Sequence, residues 1–242
     1  MSSVVGARPA LLLIGPTGSG KTPLGDEIER RGLGGRRCVH FDFGANLRSV
    51  AAGWGADLSL TGREVAAVRA SLASGALFED RDLPMIVKIV EGFAADTALG
   101  AGDLLVLNGL PRHVRQAEGL AGLFEVELVV ELEADAAVVR GRLRLDPDGD
   151  RSGRPDGSPD AVGRRLADYY EKTRPLLAHY RERGARIVTV PVSEGTRAGE
   201  MYEAFAAAVG PFTLLRGEGS SAPPGDRPTG SSGPPGGSRG RR

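Results

Sequence analysis

The chain has 242 residues, of which 40% are hydrophobic and 26% charged; this gives room for a domain with a sizeable core and excludes a wholly disordered chain. Its 31 Lys and Arg balance 31 Asp and Glu, so no net charge draws it to nucleic acid or to a membrane surface. A single cysteine, Cys38, excludes an internal disulfide and a Cys-rich zinc site; with no secretory pattern and no apolar run of the roughly 18 residues that a membrane helix needs, a soluble cytoplasmic protein is expected.

Residues 9–15 (PALLLIG) form a short all-apolar run, the pattern of a central parallel strand buried on both faces. A helix over 21–31 follows a glycine-rich turn, and a weaker strand is expected over 38–41. Helices over 62–74 and 83–95 follow the cap residues Thr61 and Asp82. Strands over 103–108 (DLLVLN), 125–132 (EVELVVEL) and 185–190 (ARIVTV) then alternate with helices over 112–123, 134–145 and 159–183, the last kinked at Pro175. Strands separated by helices predict βαβ units and an α/β three-layer fold, with a five-stranded parallel sheet flanked by helices.

The end of the chain changes character. Residues 217–242 hold 8 Gly, 5 Pro and 5 Ser, with four Arg against one Asp and one Glu. Such a segment buries too little surface to offset the entropy of ordering, so a disordered basic tail is expected, leaving 1–216 as the folded domain.

Residues 15–22 read GPTGSGKT and match G-x-x-x-x-G-K-[ST], with an apolar strand before and a helix after. Glycines let the backbone wrap a phosphate, its N–H groups point inward, and the helix N-terminus adds the positive end of its dipole. Gly15, Gly18, Ser19, Gly20, Lys21 and Thr22 are therefore the expected ATP-binding residues, with Lys21 on the β- and γ-phosphates and the Thr22 hydroxyl as a Mg²⁺ ligand. No N-K-x-D base-reading motif is present, which argues against a GTPase. His40, His113 and His179 show no metal-ligand spacing, and Cys38 reads as core. Asp146, Asp148 and Asp150 fail as a calcium loop, because Arg151 and Gly157 stand where Gly and Glu are needed.

Residues 108–116 read NGLPRHVRQ, directly after the third strand. With residues 44–48 (GANLR), with 154–156 (RPD), and with Arg165, Tyr169, Thr173, Pro175, Leu176, Tyr180 and Gly184, this set resembles the adenylate kinase family of nucleoside monophosphate kinases. Its members carry D-G-F-P-R-x-x-x-Q, S-T-G-D-x-L-R, G-R-x-D-D, R-L-x-x-Y and T-x-P-L in this order, and the likeness covers about residues 9–209. The resemblance implies transfer of the ATP γ-phosphoryl group, with Mg²⁺, to a nucleoside monophosphate, AMP giving two ADP. The acceptor is an ionised phosphate oxygen, so no general base is needed, and Arg forks suit the task of holding two anions together.

The roles the resemblance implies are specific. Lys21, Arg112, Arg154 and Arg165 surround the transferred group; Phe43, Arg48, Gly109, Arg112 and Gln116 hold the acceptor, with Gln116 favouring adenine. Arg140, with Arg142 and Arg144 as alternatives on the same helix, and Arg197 in the 195–197 loop meet the donor nucleotide. A helical acceptor segment (about 42–82) and a lid (about 142–157) close on substrate, the lid without zinc because its cysteines are missing, in a monomer with no nucleic-acid or membrane partner.

Three departures stand out. Asn108 replaces the motif's Asp, which helps to organise Mg²⁺ through water; restoring it by Asn108→Asp is expected to raise activity. Asp42-Phe43-Gly44-Ala45 replaces S-T-G-D, and Gly157 replaces the second Asp beyond the lid arginine. Two other readings remain open at this level: a P-loop kinase of a small hydroxyl-bearing metabolite, with Asp42 on the hydroxyl, and a nucleotide-binding protein that lost turnover through Asn108.

Overall fold

A computed structural model describes residues 7–54, 58–150 and 159–210. Five strands, β1 (Arg8–Ile14), β2 (Cys38–Asp42), β3 (Leu104–Asn108), β4 (Phe124–Glu133) and β5 (Arg186–Pro191), form one parallel sheet in the order β2-β3-β1-β4-β5. Alternate side chains of each strand point to opposite faces, and the sheet divides the core accordingly. Ala10, Leu12 and Ile14 of β1 join Phe41, Leu107, Ile86 and Ile89 on one face, while Leu11 and Leu13 join Val106, Val130, Leu24 and Phe205 on the other. Helices cover both faces, which is why the inner strands read as unbroken apolar runs rather than alternating ones.

One face is covered by α1 (Lys21–Arg31) through Leu24 and Ile28, by α6 (Ala136–Leu145) through Val139, by α7 (Pro159–Asp168) through Val162, and by α9 (Ala198–Val209) through Met201 and Phe205. The other is covered by α2 (Phe43–Ala52), α3 (Gly62–Ser74), α4 (Leu83–Asp96), α5 (Val114–Gly119) and α8 (Leu176–Glu182). Thr61 caps α3 in a reciprocal box with Glu64.

Two expectations are revised and one helix is added. The chain turns into α2 without a loop after β2, because the Asp42 side chain caps it, accepting from the Ala45 N–H at 2.8 Å. The helix expected over 112–123 is the six-residue α5, capped by His113, whose Nδ1 accepts from the Gln116 N–H. The single helix expected over 159–183 is broken ahead of Pro175, not at it: α7 passes into a π-helical turn, Tyr169–Thr173, closed by the Arg174 N–H on the Tyr169 carbonyl at 2.8 Å, before α8 begins. Proline offers no N–H and its ring crowds the carbonyl four residues back, so the widened turn precedes it.

Parallel register sets Asp42 against Asn108, and Asn108 against Leu13. The C-terminal ends of β1, β2 and β3 thus open onto one crevice, the place where open α/β sheets bind ligands. Arg154 and the tail at 217–242 lie outside the described residues, as does part of the expected lid.

Candidate active site

The phosphate loop links β1 to α1. Gly20 has φ +99°, and a Cβ there would sit 2.8 Å from Met201 Cε and 3.0 Å from Arg142 Nη2; glycine alone fits both the conformation and the space. Lys21 Nζ donates to the carbonyls of Gly15 and Pro16, each at 2.7 Å, and so is folded over the loop. Gly15, Gly18, Gly20, Lys21 and Thr22 line a cavity of about 270 Å³. Ser19 does not: its N–H donates to the Pro16 carbonyl at 3.2 Å and its buried hydroxyl has no partner among the described residues, so it supports the loop from behind.

Beside the loop, polar groups from α1 and from β2 and β3 converge. Thr22 Oγ1 donates to Asp42 Oδ2 at 2.7 Å. Asn108 Nδ2 lies 3.0 Å from Thr22 Oγ1, 3.2 Å from Asp42 Oδ2 and 3.4 Å from His40 Nε2. His40 Nδ1 is 2.8 Å from Asp26 Oδ1, and the ring fills the space over Gly25, where a Cβ would come within 2.3 Å of it.

On the donor side Arg142, not Arg140, reaches the cleft. Arg142 is 3% exposed; its Nε donates to the Gly18 carbonyl at 3.1 Å, its Nη1 to the carbonyls of Ser193 (3.0 Å) and Thr196 (2.5 Å), and its Nη2 to Asp148 Oδ2 at 3.4 Å. Burial pulls its pKa down, and the charges of Asp148 and Asp150 oppose this. Arg140 and Arg197 are exposed and do not line the cavity, which moves the expected donor-side arginine to 142. Burial of residue 142 depends on a loop some 50 positions further along the chain, so local spacing could not separate the two.

On the acceptor side Phe43, Arg48, Gly109, Arg112, Gln116 and Arg165 all line the same cavity. Gln116 Oε1 accepts from the Arg112 N–H at 2.7 Å, and Thr173 Oγ1 donates to the Arg112 carbonyl at 2.9 Å. The backbone of Arg112 is thereby clamped between α5 and the π turn. Its guanidinium is desolvated, which presses its pKa down; Arg165 adds to this and Asp168 opposes it. Among the described residues no side chain hydrogen-bonds that guanidinium, and the Asp168 carboxylate is the opposite charge near it. Phe43 is buried edge-on against Phe78 at 5.8 Å between centroids, a wall of the pocket rather than a free stacking platform. Thr173, Tyr169 and Asp168 line the cavity without having been singled out as site residues for it; the short π turn that brings them there left no mark in the sequence beyond Pro175.

The fold and the lined cleft define a P-loop phosphotransferase with a donor and an acceptor half. No protein-family model matches the chain. Curated relatives do. An adenylate kinase from Synechococcus sp. (strain CC9311) is 37% identical over 186 residues, which are 73% of this chain and 87% of that one. Another, from Prochlorococcus marinus (strain MIT 9303), is 35% identical over 182 residues, again 73% and 87%, and one from Xylella fastidiosa (strain M12) is 29% identical over 209 residues, 83% and 98%. A solved sugar kinase from Janibacter sp. HTCC2649 is similar at 15% identity and a TM-score of 0.47, covering 84% of this chain and 94% of that one. The chain belongs to the adenylate kinase family.

Proposed function

We propose that the protein transfers the γ-phosphoryl group of ATP to a nucleoside monophosphate, with AMP as the preferred acceptor and two ADP as the products. The observation that carries this reading is that Lys21 and Thr22 at one end and Arg48, Arg112, Arg165 and Gln116 at the other line one continuous cleft. The bond from the β-phosphate bridging oxygen to the γ-phosphorus breaks as an acceptor phosphate oxygen bonds to that phosphorus. No proton has to move. The protein's work is to align the two phosphates and spread the charge of the loose transition state. Lys21 serves the donor phosphates, Arg142 ties the loop to the donor side, and Arg48, Arg112 and Arg165 serve the acceptor and the transferring group; we extend this last role to Arg154. Gln116 spends its carbonyl oxygen on the Arg112 N–H, which leaves its NH₂ group to meet the acceptor base.

The residues beside the loop suit Mg²⁺: the Thr22 hydroxyl and the Asp42 carboxylate are hard oxygen donors, close together, next to a phosphate site, and the Asn108 NH₂ group holds the Asp42 carboxylate in place. When bound, Mg²⁺ supplies neutralisation of the charge shared by the β- and γ-phosphates. We take residues 1–216 as the catalytic unit, with 42–82 and 142–157 as its moving parts; a chain ending at 216 should keep full activity.

The test offers AMP, GMP, CMP and UMP separately with Mg·ATP, and uses Lys21→Ala as the blank. ADP formed from AMP, and absent in the blank, is the expected result. ATP binding without transfer to any monophosphate would overturn the reading.

A further inference from the structure

We infer that Asp42, at the end of β2, supplies the carboxylate that holds the metal ion of bound Mg·ATP, with Asn108 on β3 as its neutral complement. The inference rests on the phosphotransfer reading above and concerns its donor half.

A negative charge is missing at Asn108 and at Ala45, two of the places where the family motifs carry Asp. The sheet register puts one back. Asp42 and Asn108 are direct partners across the β2–β3 pair, and Asp42 Oδ2 accepts from both the Thr22 hydroxyl (2.7 Å) and the Asn108 amide (3.2 Å). The Thr22 proton is thereby committed to Asp42, and the hydroxyl keeps a lone pair for a cation. The second carboxylate oxygen is fixed as well, as the cap of α2 through the Ala45 N–H at 2.8 Å. Both oxygens are therefore oriented before any ligand arrives, the condition for a group that positions a metal.

Asn108 is built as the partner of that acid. With His40 Nδ1–H donating to Asp26, His40 Nε2 is an acceptor, so the Asn108 amide meets three acceptors: His40 Nε2, Thr22 Oγ1 and Asp42 Oδ2. Its NH₂ group is the end that must face them. A carboxylate at 108 would stand about 3.2 Å from the Asp42 oxygen, a like-charge contact in place of a hydrogen bond. The geometry accordingly reverses the expectation drawn from the motif: Asn108→Asp alone lowers activity, and only the exchange of both residues keeps it.

The test measures how strongly Mg²⁺ tightens ATP binding, as the ratio of ATP affinities by calorimetry in Mg²⁺ and in EDTA, on the full chain. Asp42→Asn keeps a cap-competent side chain and removes only the charge. It is expected to cut the ratio about 10- to 100-fold, as loss of a metal-orienting partner does. The exchange Asp42→Asn with Asn108→Asp is expected to return the ratio to the wild-type level. An Asp42→Asn protein with the wild-type ratio, or an exchange variant no better than the single one, overturns the inference. If Asp42→Asn does not fold, the wild-type protein decides: Mn²⁺ in place of Mg²⁺ with ATP should broaden the carboxylate ¹³C signal of Asp42 far more than that of Asp103, which precedes β3 at the opposite end of the strands. Equal broadening overturns the inference. None of these readouts involves an acceptor. AMP refused with the Mg²⁺ ratio dependent on Asp42 breaks the kinase reading alone; AMP phosphorylated with the ratio independent of Asp42 breaks this inference alone.

Discussion

Arg142 and Arg112 line the same cleft, and their surroundings differ. Arg142 spends its guanidinium on the protein: it donates to three backbone carbonyls and to Asp148, and ties the phosphate loop to α6 and to the 193–196 loop. Arg112 has its backbone clamped by Gln116 and Thr173 and its guanidinium desolvated without a bonded carboxylate. The donor half is thus assembled by the protein's own hydrogen bonds, while in the acceptor half no side chain among the described residues hydrogen-bonds the Arg112 guanidinium, and Asp168 is the opposite charge near it. Rigidity and recognition are divided between residues of one type.

That contrast can be broken by substitution. Lys21→Ala should have the largest effect, lowering kcat by about 10²–10³-fold through the loss of a charge placed on the donor phosphates, read from initial rates with Mg·ATP and AMP. Arg112→Leu should come close to it in rate while leaving the melting temperature equal or higher, because it removes a desolvated charge that no side chain among the described residues hydrogen-bonds. A lower melting temperature in that variant would place Arg112 among the structural arginines.

Arg142→Ala is expected to show the opposite profile. It leaves the carbonyls of Gly18, Ser193 and Thr196 without their side-chain donor and Asp148 with the Ala198 N–H alone, at a cost of about 2–4 kcal/mol, or roughly 5–10 °C in Tm for a chain of this size. Arg140→Ala, an exposed position on the same helix, should stay within about 0.5 kcal/mol. Scanning calorimetry on the pair checks both.

Two smaller effects sharpen the picture. Arg48 is exposed at the acceptor end, and Arg48→Ala should raise KM for AMP about tenfold, the loss of one charged hydrogen bond, with KM for ATP unchanged. Cys38 lies far from the chemistry, at the start of β2, where burial pushes its thiol up to about 11. The thiol is therefore neutral at pH 8, and its reaction with a maleimide should run about 100-fold slower than for a free cysteine, rising as pH approaches the raised value.

Much of this was legible without coordinates where the signal is local. An apolar run of strand length, followed by a glycine-rich turn with Lys and Thr at fixed places, requires the β1–loop–α1 unit, because only that backbone path satisfies both the burial and the phosphate-facing N–H groups. The same holds for β3, whose apolar composition is dictated by burial on both faces of a parallel sheet. The arginines at motif spacing, 48, 112 and 165, came to the cleft for a related reason: each sits a few residues from a strand end or a helix turn whose place the motif defines.

What the chain could not disclose by itself were the contacts made across sequence distance. Residues 140 and 142 are two positions apart on α6, about 200° around the helix axis, and which of them is buried depends on where the 193–196 loop comes to rest. Ser19 sits within the loop motif yet turns away from the ligand, because the space in front of it belongs to glycines. Asn108 reads as a lost charge in one dimension. The parallel register of β2 and β3 makes it half of a pair in three, since strands from distant parts of the chain bring Asp42 to the position that the motif left neutral.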